Sequence, residues 1–124
     1  MSGRVVHFEI PYDDAERART FYAEAFGWTL NDVPGMDYTL ATTGPGDETG
    51  PKELGFIDGG MAARGVPLTG PTVVIDVDDI DAALEKVESL GGSTLLARTP
   101  VGEMGFSAYF KDSEGNVVGL WENA

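Results

Sequence analysis

HFEIPYDDAERARTFYAEAFGWTL, residues 7–30, is answered 65 positions later by TVVIDVDDIDAALEKVESLGGSTL, residues 72–95. Overlaid, the two stretches coincide at Ile10/Ile75, Asp13/Asp78, Asp14/Asp79, Ala18/Ala83, Gly27/Gly92, Thr29/Thr94 and Leu30/Leu95. These positions are structural punctuation. Val73, Ile75 and Val77 alternate with Thr72, Val74 and Asp76, the period-two pattern of a strand with one face on an apolar layer, and Phe8 and Ile10 alternate likewise. The aspartate pairs can accept hydrogen bonds from the free amides of a following helix and complement its dipole. Ile80, Ala83, Leu84, Val87 and Leu90 then recur at helical spacing, as do Ala15, Ala18, Tyr22 and Ala25. Gly27 and the Gly91-Gly92 pair end the helices, because a C-terminal cap uses left-handed backbone that suits glycine.

Outward from the repeat, strands are expected at Trp28–Asn31, Tyr38–Thr42 and Glu53–Ile57, and again at Ser93–Ala97, Ser107–Lys111 and Asn116–Trp121. Asp112–Gly115 is a hairpin turn, and GPGDETGP (44–51), with no apolar residue, an exposed and mobile loop. Each copy thus reads as βαβββ, an α+β class. Neither module could cover its own sheet, so both should share one core in a single domain over 1–124: module one about 4–62, a linker about 63–71 and module two about 72–123.

The totals exclude several functions. Zero cysteines remove disulfides, thiolate nucleophiles and cysteine-ligated metals. Twenty-one acidic against eight basic residues give a net charge of −13, which repels phosphate backbones and anionic lipids, so neither nucleic acid nor membrane is an expected partner. The same charge would suit a cationic ligand, and the scarcity of lysine would suit a high-salt habitat. The N-terminal residues MSGRVVHFEI lack the apolar run of a secretory signal, and a cytoplasmic location is expected. No phosphate loop, GxSxG elbow or supported Ser/His/Asp arrangement occurs.

HFEIPYDDAERARTFYAEAFGW, VDDIDAALEKVESLGG and YFKDSEGNVVGLWE together resemble the vicinal oxygen chelate superfamily, which includes glyoxalase I, bleomycin-resistance proteins and extradiol dioxygenases. The resemblance spans essentially the whole chain. It implies two tandem βαβββ modules whose curved mixed sheet, an incomplete barrel, surrounds a cavity with the helices outside, and often a homodimer. On that plan Phe8, Ile10, Val73, Ile75 and Val77 pack beneath the helices. His7, Glu9, Thr72, Val74 and Asp76 face the cavity with Gly119 and Trp121, and some of Trp28, Tyr38, Phe106, Tyr109 and Trp121 wall it. The segment Pro100–Phe106, with two glycines and the flexible Met104, is a candidate lid or ligand-contacting loop.

The resemblance also implies a divalent ion held by one ligand from the first and one from the fourth strand of each module. His7 matches the first position, while Thr72 in the second module is a poor ligand and the expected carboxylate of the last strand falls at Gly119. A two-histidine iron site cannot form from one histidine. The expected function is therefore a small-molecule-binding protein of this family without the full metal site and without a cofactor. Its pocket would hold His7, Glu9, Thr72, Val74, Met104, Phe106, Gly119 and Trp121, with His7 and Glu9 as the acid/base pair. The alternatives are a metal-dependent lyase or isomerase resembling glyoxalase I, its ion on His7, Glu53 and Glu122, and a non-catalytic scaffold or regulatory module.

Overall fold

The computed structural model describes residues 3–47 and 50–124, and both copies of the repeat fold as βαβββ. Two compact units result, one of His7–Pro71 and one of Met1–Val6 with Thr72–Ala124. The first unit holds β1 (Val5–Tyr12) from His7 onward, α1 (Ala15–Phe26), β2 (Thr29–Asp32), β3 (Thr39–Thr42) and β6 (Gly59–Ala63), with a two-residue ladder of β4 (Gly46–Asp47) and β5 (Gly50–Pro51) between the last two. Its sheet runs β2-β3-β6-β1, antiparallel except for the parallel β1–β6 pair.

The second unit repeats that plan with β7 (Thr72–Asp76), α2 (Ile80–Ser89), β8 (Ser93–Val101), β9 (Gly105–Lys111) and β10 (Val117–Asn123). Its order is β8-β9-β10-β7, again with the opening strand parallel to the closing one. Parallel neighbours need a long crossover, which the helix and the intervening strands supply in both units. The start of the chain also lies here, since Gly3 donates its amide hydrogen to Asp76 and Asp76 donates to Arg4.

The aspartates cap as expected. Asp14 accepts the Arg17 amide at 3.0 Å and Asp79 the Ala82 amide at 3.1 Å. Gly27 closes α1 with φ of 74°, where a Cβ would be strained. α2 buries Ile80 and Leu84 against Ala108, Phe110 and Leu120, with Ile75, Val77, Ala83 and Val87 at the margin. α1 has no buried residue; its Tyr22 stacks on Trp28 at 4.7 Å, and Trp28 meets Phe8 of β1 at 5.6 Å.

Several expectations are corrected. The strand expected at Glu53–Ile57 is absent. Leu54 there is fully exposed, and the strand lies instead at Gly59–Ala63, whose glycines conceal it from a propensity reading. Leu90 caps α2 and is 71% exposed rather than part of the apolar stripe, and Val73, despite sharing the parity of Ile75, is 45% exposed. Pro100–Phe106 is no lid: Pro100 and Val101 end β8, Gly105 and Phe106 begin β9, and the Met104 amide bonds Val101 O across the tight turn between them. The segment 44–51 contains the β4–β5 ladder, and Glu48 and Thr49 within it lie outside the described residues.

Candidate functional site

Strand parity divides β1 into two faces. Phe8 and Ile10 point toward α1, and His7 and Glu9 point away from it. Glu9 is 7% exposed although it is a carboxylate, so it must be hydrogen-bonded. Tyr38, just before β3, provides that bond: its hydroxyl donates to Glu9 Oε2 at 2.6 Å, and the same oxygen lies 2.8 Å from His7 Nε2. A phenol has one proton, and here it goes to the carboxylate. His7 Nε2 therefore carries the ring hydrogen and donates it to Tyr38, leaving Nδ1 as the acceptor of a neutral imidazole. Burial lowers the His7 pKa, opposed by the negative charges of Glu9 and Asp58, so the ring stays neutral at pH 7. Asp58 is fixed by the Thr43 amide at 2.8 Å.

His7 and Glu9 do not bond directly; Tyr38 joins them into a chain of carboxylate, phenol and imidazole. The arrangement can hold a proton at defined atoms, or receive a polar group of a ligand beside an acceptor-rich wall. Space for the Tyr38 ring comes from β6. Gly60 stands opposite Glu9, and a Cβ on Gly60 would overlap the Tyr38 hydroxyl. The spacing of His7 and Tyr38 hides this cluster in the sequence. A Gly-Gly pair opening a buried strand is the one signal of a close approach that could have found it.

In the second unit Gly119 pairs with Val74 on one side and Tyr109 on the other, so these three and Trp121 share the sheet face opposite α2, and Thr72 has the same parity as Val74. Thr72 and Val74 are buried. Phe106 is on the other face: it packs against the α2 core, and the Arg98 guanidinium lies 3.5 Å above its ring. It is thus core rather than ligand contact, Met104 is in the exposed β8–β9 turn, and Trp28 is occupied by Tyr22. Two open grooves of about 530 and 320 Å³ run along α1, and His7 lines neither.

The donors implied for an ion can now be placed. Glu9 and Val74 correspond under the 65-residue repeat, and their partners on the closing strands are Gly60 and Gly119. Gly60, not Glu53, therefore holds the fourth-strand position of the first unit, and Glu53 is exposed in the preceding bend. Glu122 is committed elsewhere, accepting the Ile80 amide at 2.8 Å and pairing with Arg98 at 2.9 Å. The first unit thus offers one imidazole and a glycine at these positions and the second a threonine hydroxyl and a glycine, and neither pair fits a divalent ion. Among the described residues no cluster of three or more histidine or carboxylate side chains is arranged to hold one.

The chain is similar in sequence and in fold to known proteins. A family profile described as "Bleomycin resistance protein-like N-terminal" matches residues 4–44. A glyoxylase-like domain-containing protein of Didymella fabae is 32% identical over 119 residues, covering 94% of this chain and 91% of that protein. Against a putative glyoxylase of Mycobacterium bovis, also 32% identical, the chain spans only 41% of the relative's length. Among solved structures, a glyoxalase/bleomycin resistance protein/dioxygenase superfamily member from Vibrio splendidus has a TM-score of 0.63 at 18% identity, over 98% of this chain and 99% of that one. Methylmalonyl-CoA epimerase from Mycobacterium tuberculosis has a TM-score of 0.62 at 18% identity, over 96% and 87%.

Proposed function

The chain belongs to the vicinal oxygen chelate superfamily, and from that premise we propose that it binds a small organic molecule without the divalent ion of the family's enzymes, using His7, Tyr38 and Glu9 as its polar contacts. The observation that carries this reading is the Tyr38 hydroxyl held between a buried carboxylate and a neutral imidazole, a polar cluster placed on the sheet face away from α1. Small-ligand binding is further supported by the structural likeness to methylmalonyl-CoA epimerase, whose name states an organic substrate. Hydrogen-bond acceptors around His7 and the net charge of −13 favour a cationic or donor-rich ligand. The reading includes a homodimer, supported by Phe21 and Phe26 on α1, which are 59% and 65% exposed, and a cytoplasmic location.

The test is a thermal-shift screen of small amines, amides and thioesters followed by titration calorimetry of any hit. A ligand that binds the native protein and loses at least about tenfold in affinity, one hydrogen bond's worth, in Tyr38→Phe or His7→Ala supports the assignment. A hit unaffected by either change, or no hit at all, sinks it.

A further inference from the structure

Gly60 has no side chain, and the Tyr38 phenol fills the space where one would stand. The three atoms nearest a Cβ built on Gly60 all belong to Tyr38, beginning with the hydroxyl oxygen. That oxygen is also 2.8 Å from His7 Nε2 and 2.6 Å from Glu9 Oε2, only somewhat beyond the roughly 2.0–2.2 Å at which imidazole and carboxylate bind zinc-like ions. With Nε2 donating to the phenol, a cation could take that nitrogen only by displacing Tyr38 and shifting the ring hydrogen to Nδ1.

We infer that Tyr38 is a built-in plug against metal binding. Its ring takes the volume of the side chain missing at Gly60, and its hydroxyl takes the point between His7 and Glu9 that a cation would occupy. The two residues form one device, because any side chain at position 60 would displace the ring, and without the ring Gly60 would leave a gap in front of His7. The plug would close the site to ions whether or not a small molecule binds, so it stands apart from the ligand-binding proposal.

The double variant Tyr38→Ala/Gly60→Glu removes the plug and supplies a carboxylate. Nickel and zinc, each alone, are added to the native protein, the double variant, and the double variant carrying His7→Ala. Folding is checked by circular dichroism, and retained ion is measured after gel filtration. The native protein should neither retain ion nor change its melting temperature. The double variant should melt about 5 °C higher at tenfold excess over the dissociation constant, and His7→Ala should abolish the gain. If the double variant does not fold, Tyr38→Ala alone decides, with a smaller His7-dependent gain expected. Nitrogen NMR of the native His7 ring decides independently of any variant and should show the Nε2–H tautomer unchanged by zinc. Stoichiometric, His7-dependent ion on the native protein, a zinc-sensitive His7 signal, or a folded variant indifferent to ions overturns the inference. The small-molecule screen is read separately, and its failure leaves these outcomes unaltered.

Discussion

Placing a single methyl group at Gly60 tests the site most directly. Gly60 has no positive φ, so alanine is acceptable to the backbone, and the cost falls on Tyr38, whose hydroxyl the new Cβ would overlap. Displacing the phenol breaks its bond to the buried Glu9 carboxylate, about 2 kcal/mol, and its bond to neutral His7, about 1 kcal/mol. Local repacking adds about 1 kcal/mol, for a total of about 4 kcal/mol, or a melting temperature lower by roughly 16 °C in a domain of this size. In a Tyr38→Ala background the clash is gone, and the same methyl should be neutral or stabilising by about 0.5 kcal/mol through the unfolded chain. Urea unfolding of the native protein, both single variants and the double variant yields the coupling, expected at about 4 kcal/mol. Gly119→Ala is the internal control: its Cβ would meet Val74 Cγ2 at 3.1 Å, a contact a side chain can relieve, so the cost should stay within about 1 kcal/mol. A Gly60→Ala cost that is the same in both backgrounds would refute the geometry on which the site rests.

Two further outcomes concern pH. The His7 pKa is lowered by burial, so the unfolded chain binds more protons than the folded one below the ordinary histidine value of about 6.5. Its contribution to stability is intact above that pH and declines as pH falls toward the lowered value; melting temperatures from pH 8 to pH 5 should drop less in His7→Gln, and parallel curves would contradict this. Glu122 is held below the ordinary glutamate range by the Arg98 hydrogen bond first and the Ile80 amide second, so its contribution is present above the unfolded value and lost as pH falls through the folded one. Glu122→Gln should therefore move acid unfolding to higher pH and flatten the pH dependence of stability below pH 5, and an unmoved acid midpoint would remove Glu122 as the anchor of α2.

The parts of the fold legible in the sequence were those fixed by neighbours along the chain. Asp14, Asp79 and Gly27 act within one helical turn of where they stand, and Asp112 bonds the amides of Glu114 and Asn116 inside its own turn. Alternation in TVVID placed β7 for the same reason. β6 escaped because GGMAA has almost no side-chain pattern to read, whereas the apolar run ELGFI offered a false one. That His7 and Glu9 share a strand face is legible because one strand carries both. Tyr38 reaches them from 31 positions away through a space made by Gly60, and no local pattern encodes such a convergence. The face that Phe106 takes is not legible, because an aromatic on a strand looks alike on either face until the register with Glu122 is known.

The pairing of each unit's opening strand with its closing one also bears on how the chain leaves the ribosome. Within its own unit β1 hydrogen-bonds only to β6, so Phe8 waits for Gly59 before its ladder can zip, while α1 and the β2–β3 hairpin can form from what has already emerged. The same delay recurs between Val74 and Gly119. A nascent chain stalled short of residue 59 should expose the first strand to chaperones, and one released just beyond β6 should protect β1 and β6 from protease.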